Sequence, residues 1–321
     1  MERPSLERSE IGIGSVRTLL TELESLTQDP DYEYYYRGHS NKKYELVPSV
    51  YRNSGWIANE HRMFRELILR CPDDFHELET TFQKLVKMQH YALPTRLLDI
   101  TGNPLIALLF ACKDEKYKDD EKTKEKSADG EVIIFRLPKK EIKYFDSDTV
   151  SVISNVSKQP FEFEFVVKPD ETPEKFSEQE SIKLLIHDIR QERSSFEPKI
   201  KSEHLRSVIC VKPLLNNPRI IRQDGAFFLF GIDDRKSESS RIPVSYIYKP
   251  NELRLVVKAG DKKKMREQLE ALGINGGKIY PEIDSVASYV KSSFEAKANA
   301  NIGCKSRRKK ESARATRSIR N

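Results

Sequence analysis

Apolar positions along this chain fall into two kinds of block, one spaced like a helix face and one continuous. Val16, Leu19, Leu20, Leu23 and Leu26 form a single helical stripe behind Ser15, which predicts a helix over 15–26 that Ser15 caps and Asp29-Pro30-Asp31 ends. Residues 33–37 (EYYYR) read as a short aromatic strand stopped at Gly38, with a polar turn over 39–43. Residues 44–51 read as extended, because Pro48 biases its predecessor away from helical geometry. Two amphipathic helices follow, over 59–70 (Met63, Phe64, Leu67, Ile68 inward) and 77–90 (Leu78, Phe82, Leu85, Val86 inward). Asn103-Pro104 is a helix-start signal, and the helix it opens, LIALLFAC, is apolar on every face. Such a helix belongs inside the domain.

Residues 113–130 invert that pattern, with six lysines, seven acidic residues and no aliphatic anchor, and are expected to form an exposed, mobile insertion. Order is expected to resume in a buried strand over 131–137. Beyond it the pattern predicts a helix over 174–190 and strands over 207–211, 220–230, 244–248 and 253–257. A helix capped by Asp261 runs to Leu272 and stops at Gly273, and a last helix spans 284–291. Strands and helices mix without βαβ alternation, so the fold class is α+β. The expected organisation is an N-terminal helix within 1–30, one mixed domain with a central sheet over 31–292 and a buried helix at 104–112, and a disordered basic tail over 293–321.

Composition excludes several classes. The longest apolar window, 105–112, falls far short of the ~20 residues a membrane span needs. Residues 1–10 lack the apolar core of a secretory signal, and Cys71, Cys112, Cys210 and Cys304 are scattered without a CxxC pair. A reducing compartment, the cytoplasm, and no structural zinc site are the expectations. The net charge of +6 is concentrated at one end: from Lys305 onward eight Lys or Arg face the single Glu311, a net of +7, which leaves −1 for the rest. Such a tail is either a solvated end or a sequence-independent contact for nucleic acid through Lys305, Arg307, Arg308, Lys309 and Lys310.

Three groups of polar residues lie in apolar surroundings. Tyr36-Arg37-Gly38-His39 ends the aromatic strand; an arginine fork beside glycine suits an anion, or else pairs with a core carboxylate. Gln89, His90, Thr95, Arg96, Asp99 and Thr101 precede the buried helix, whose free N-terminal amides also favour an anion. The alternative is that Arg96 and Asp99 bridge each other on one turn and pin the loop. Arg222-Gln223-Asp224-Gly225 interrupts IIRQDGAFFLF, where Gln and Gly inside a strand mark a bulge or a close backbone approach.

In this order the three groups resemble the FRG domain family, a bacterial and phage domain with a Phe/Tyr-Arg-Gly motif. Tyr36-Arg37-Gly38 resembles that motif, followed by a similar run at Leu46, Pro48 and Arg52. HYALPTRLLDITGNPLIALLFAC resembles the family's longest signature, with Ala92 where glycine is usual and Ile100 where tryptophan is common. Gln223-x-Gly225 and IYPEIDSVASYV resemble its later segments, so the likeness runs from about Tyr34 to Tyr289. A weaker resemblance, to arginine-class ADP-ribosyltransferases, implies that Arg37 binds NAD phosphate and ribose and that Thr95 or Thr101 fills a hydroxyl role. The carboxylate that such an enzyme sets beside the 2′-hydroxyl would correspond to Gln223, which is neutral; Asp99 is the substitute within reach.

The sequence therefore predicts a pocket floored by 105–112, with Arg96 and Asp99 at its mouth and Arg37 and Gln223 facing them. Arg37, Gly38, Thr95, Arg96, Thr101, Gln223 and Gly225 are the candidate ligand contacts, with NAD as the candidate cofactor. Asp99, His39 and His90 are the candidate catalytic groups. A ligand-sensing module without turnover and a purely structural polar network are the competing readings.

Overall fold

The computed structural model describes residues 10–24, 26, 29–118, 125–282 and 286–291. The predicted tail over 293–321 lies outside these residues. Within them the chain has eleven strands: β1 (Glu10–Gly12), β2 (Tyr32–His39), β3 (Leu97–Thr101), β4 (Lys116–Tyr117), β5 (Lys126–Ser127), β6 (Gly130–Pro138), β7 (Lys143–Tyr144), β8 (Val208–Lys212), β9 (Gly225–Phe230), β10 (Ile247–Tyr248) and β11 (Arg254–Val257). Nine form one mixed sheet in the order β1-β11-β6-β2-β3-β9-β8-β7, with β10 paired to β6; β4 and β5 pair separately. The class is α+β. No helix among the described residues is long and apolar enough to cross a membrane.

The two faces of the sheet are built differently. One carries an apolar layer of Tyr35, Leu98, Ile100, Phe135 and Phe228 that runs across β6, β2, β3 and β9. On the opposite face two groups of helices share the cover. Helix Pro104–Ala111, with helices Val16–Glu24 and Lys262–Ala271, packs on Tyr36, Val132, Ile134 and Leu255. Helices Glu60–Arg70, Thr81–His90 and Asp148–Asn155 pack on Leu97, Phe227 and Leu229. Between the groups β2 and β3 come apart: they share the single register pair Tyr36↔Thr101, whereas β2 and β6 share eight.

Helix Pro104–Ala111 starts as its sequence signals, with Asn103 Oδ1 accepting from Leu105 N at 2.9 Å. Ile106, Ala107, Leu108, Leu109 and Ala111 are buried, while Pro104, Leu105 and Phe110 are half-buried. Gly38 does not stop β2; the strand runs through it, because the helix lies directly on it. A Cβ there would sit 1.8 Å from Ala107 O and 2.6 Å from Ala111 N. Its missing side chain makes room for a helix backbone.

Other boundaries shifted for local reasons. The helix expected from residue 77 starts at Thr81, where Thr80 and Gln83 form a capping box. The strand expected over 220–230 is a short helix, Pro218–Gln223, followed by β9. Asn217-Pro218 repeats the Asn-Pro start signal, Asn217 Oδ1 accepts from Arg219 N at 2.9 Å, and Asp224 closes the helix with φ 45°. Gln223 and Gly225 thus flank a helix end rather than a bulge. The alternative of a turn bridging Arg96 and Asp99 does not form: Arg96 is a bend residue leading into β3, its carbonyl accepting from Phe230 N, and Asp99 lies within the strand, so their side chains part. The extended stretch over 44–51 ends in a 3₁₀ turn, Ser49–Arg52, and the helix over 174–190 is two helices, Pro173–Phe176 and Glu180–Glu192. Helix Asp148–Asn155, buried over Thr149 to Asn155, was not among the elements expected from the sequence. The charged insertion is tied at its ends: β4 pairs with β5, Ala128 is buried, and Asp129 accepts from Ala259 N at 3.0 Å. The last helical residues described are 286–291.

Candidate functional site

Where β2 and β3 separate, the backbone carbonyl of Asp99 has no strand partner on the β2 side. The Arg37 side chain reaches it, Nη1 donating to Asp99 O at 2.5 Å. The space beside this bridge is a cavity of about 260 Å³. Its walls include Tyr36, Arg37 and Gly38 from β2, Asp99, Ile100 and Thr101 from β3, and Phe110 and Lys113 at the end of the buried helix. His39, Ser40, Tyr44, Arg52, Arg219, Gln223 and Tyr280 complete them.

The charges are lopsided. Four cations, Arg37, Arg52, Lys113 and Arg219, line the cavity with one carboxylate, Asp99. Among the described residues neither Arg37, Arg52 nor Lys113 has a carboxylate within ion-pair distance; Arg219 Nη1 stands 3.8 Å from Glu282. The cations are held instead by neutral groups. Arg37 Nε donates to His39 Nε2 at 3.0 Å. Arg52 Nε and Nη2 both donate to Val47 O, at 3.1 and 2.9 Å. Lys113 Nζ donates to Tyr280 OH at 2.5 Å, and Lys113 and Arg219 lie 5.0 and 4.9 Å from the Tyr280 ring centre. Burial, with Arg52 nearby, lowers the Arg37 guanidinium to about 10, which leaves it charged at neutral pH. Cations fixed this way keep N–H groups free for an anion.

Asp99 is set by a relay. Thr95 Oγ1 accepts from Leu97 N at 3.1 Å and donates to Gln89 Oε1 at 2.8 Å, and Gln89 Nε2 donates to Asp99 Oδ2 at 2.8 Å. Thr101, which also lines the cavity, donates to Gln223 O at 2.5 Å and accepts from Asn103 N at 3.0 Å, joining β3, helix Pro218–Gln223 and the buried helix.

Of the two candidate histidines, His39 lines the cavity and His90 does not. His39 is 2% exposed, and burial, then Arg37, Arg52 and Arg254, push it down to about 3. It is neutral at pH 7 and serves as the acceptor that aims Arg37. His90 lies outside this cavity: Nε2 is 3.0 Å from Glu282 Oε1, and Nδ1 is 3.3 Å from Asn217 Nδ2. Burial and Arg219 lower its pKa.

The predicted constellation therefore assembles in part. Arg37, Gly38, His39, Asp99, Thr101 and Gln223 share one cavity, with Phe110 and Lys113 at the helix end beside them. Thr95 acts from behind, through Gln89. Gly225 lies in a small extension of the cleft with Asp99 and Gln223. Arg96 is the correction: it is fully buried away from the cavity, with Nε and Nη2 donating to Glu60 at 3.0 and 2.5 Å and Nη1 to Phe230 O at 3.1 Å. Lys236 Nζ, also fully buried, reaches Glu60 at 3.1 Å. Gln223 faces the cavity but its amide donates to Ile279 O at 3.0 Å, bracing the Tyr280 wall. Lys113 and Arg219 were not singled out from sequence, and Arg52 and Tyr280 were noted only within motifs. Arg219 had a legible signal, the Asn217-Pro218 helix start; Lys113 had none.

Residues 32–120 match the FRG domain model. This chain carries an FRG domain. The matched segment runs from β2 through the buried helix and into the charged insertion, so it supplies Arg37, Gly38, Arg52, Asp99, Thr101 and Lys113. Arg219, Gln223 and Tyr280, which close the FRG cleft from the other side, come from outside it. Neither a comparison with curated proteins nor one with solved structures finds a match.

Proposed function

We propose that the cleft beside the β2–β3 split binds a nucleotide through its phosphates. One observation carries this: Arg37, Arg52 and Lys113 converge on a single cavity without a carboxylate partner among the described residues. Unpaired cations drawn together repel one another, and an anion relieves the repulsion. Asp99 adds an acceptor for a ribose hydroxyl in the same space, and Gln89 fixes one of its oxygens.

A second reading, ADP-ribosyl transfer from NAD, is favoured by that same carboxylate. Asp99 is the acidic side chain lining the cavity, and it would stabilise positive charge developing on the ribose as nicotinamide departs. Gln223 has no charge to offer, so transfer rests on Asp99 alone. The neutral His39 does not supply a proton at pH 7, which favours binding over acid–base turnover.

Thermal unfolding of the full chain with AMP, ATP, NAD and tripolyphosphate tests both readings. A nucleotide at a hundred times its Kd is expected to stabilise the protein by about 2.7 kcal/mol. Arg52→Gln, folded by circular dichroism, is expected to lose that gain. Asp99→Asn removes a negative charge and is expected to bind tripolyphosphate more tightly and nucleotides less so. No stabilisation by any phosphate ligand would sink the proposal. Nicotinamide release from NAD together with bonding of the ribose C1′ to a non-water acceptor, both abolished in Asp99→Asn, would establish the second reading.

A further inference from the structure

The four cations of the cavity fall into two pairs. Arg37 comes from β2 and Arg52 from the turn Ser49–Arg52. Beyond burial, the charges that act on the Arg37 guanidinium are Asp99, which raises its pKa, and Arg52, which lowers it. Lys113 follows the buried helix and Arg219 lies in helix Pro218–Gln223, and both rest against the Tyr280 ring, 5.0 and 4.9 Å from its centre. Asp99 borders both pairs: it acts on Arg37, and with Arg219 it lines the narrow extension of the cleft. The pairs also differ in what they lack. Glu282 stands 3.8 Å from Arg219, whereas neither Arg37 nor Arg52 has a carboxylate within ion-pair distance among the described residues.

Most of the donor capacity is unspent. A guanidinium carries five N–H groups and an ammonium three. Arg37 spends two, on His39 and Asp99 O, Arg52 spends two on Val47 O, and Lys113 spends one on Tyr280 OH. About eight are left before Arg219 is counted, more than the three oxygens of one terminal phosphate accept at about two bonds each. The cavity, at about 260 Å³, lies below the ~300 Å³ at which small-molecule pockets usually begin, which favours one nucleoside over a dinucleotide. Resting on the nucleotide reading above, we infer that the ligand is a nucleoside carrying two phosphate groups, one for each cation pair, with its ribose at Asp99. The phosphates can adjoin, as in a nucleoside diphosphate, or stand on either side of the ribose, as in a 3′,5′-bisphosphate. Either way a terminal phosphate brings a charge of about −2 to the lining. NAD has bridging phosphates only and a positive nicotinamide ring, so it brings less.

Titration calorimetry of the full chain with AMP, ADP, adenosine 3′,5′-bisphosphate and NAD tests this. ADP or the bisphosphate is expected to bind at least about tenfold more tightly than AMP, the gain from one further charge-assisted contact, and more tightly than NAD. The tighter of the two identifies how the phosphates are spaced. A lone phosphate takes the Arg37–Arg52 pair, which has no carboxylate of its own, so the second falls to Lys113 and Arg219. Lys113→Gln is therefore expected to bring the preference over AMP down to about twofold or less. Arg219→Gln is a second variant on the same pair, with the same expectation. Arg52→Gln is expected to weaken AMP and the doubly phosphorylated ligand by the same factor and to keep the preference. AMP that binds as tightly as both doubly phosphorylated ligands would overturn the two-phosphate inference and leave the nucleotide reading standing. So would NAD that binds more tightly than either, or a preference that survives both Lys113→Gln and Arg219→Gln. Failure of every one of these ligands to bind would remove both proposals.

Discussion

Acid should unfold this protein through His39. The ring is 2% exposed, its Nε2 accepts from Arg37 Nε, and its Nδ1 finds no partner among the described residues. Burial and three arginines hold it down to about 3, whereas a histidine in the unfolded chain titrates near ~6.5. Between these values the unfolded chain binds a proton that the folded chain refuses, so stability rises with pH and is lost as pH falls. At pH 5 the loss from this one group is about 2 kcal/mol relative to neutral pH, and it grows on further acidification. His61, His90 and His204 are also depressed, so the total pH dependence of the wild type is not the readout. The comparison is with His39→Gln, which keeps an acceptor for Arg37 and removes the titration. Urea unfolding at pH 7.5 and pH 5.0 should show the wild type losing about 2 kcal/mol more than the variant. Equal losses in the two proteins would refute the buried, neutral His39 and with it the account of how Arg37 is aimed.

Two further outcomes follow from the packing around the same strands. Gly38→Ala places a Cβ against the backbone of helix Pro104–Ala111, and should cost about 3 kcal/mol, at the upper end of overpacking, measured by urea unfolding. A neutral result there would mean that the helix does not seat on β2. Glu60→Gln leaves Arg96 and Lys236 buried without their counter-charge and should cost about 3–5 kcal/mol, while nucleotide binding at matched temperature below the transition stays as in wild type. Loss of binding in a folded Glu60→Gln protein would return Arg96 to the site.

The physics of the central segment explains why its residues divided as they did. Arg96 and Asp99 are three apart, which on a helix is one face and on a strand is two. The sequence placed both at the mouth of one pocket, with a bridge on one turn as the alternative. As β3 forms, the pleat sends Arg96 into a core ion cluster and Asp99 into the cleft. No local feature distinguishes these readings, because the strand is completed by β9, more than a hundred residues away.

What the sequence determined by itself was whatever depends on nearest neighbours: the Asn103-Pro104 start, the apolar helix that must lie inside, the aromatic strand that carries Arg37, and the segregation of charge into the last residues. The α+β class and the place of the candidate cleft follow from these, since an all-apolar helix beside Arg37 and Asp99 has to sit against the sheet that carries them. Tertiary structure decided what depends on partners distant in the chain. It separated β2 from β3, gave Arg96 to Glu60 instead of a ligand, spent His39 on Arg37 and His90 on Glu282, and brought Arg52, Lys113, Arg219 and Tyr280 to one cavity from four separate elements. A charge's role is set by the company that folding brings to it, and that company is not written in its neighbours along the chain.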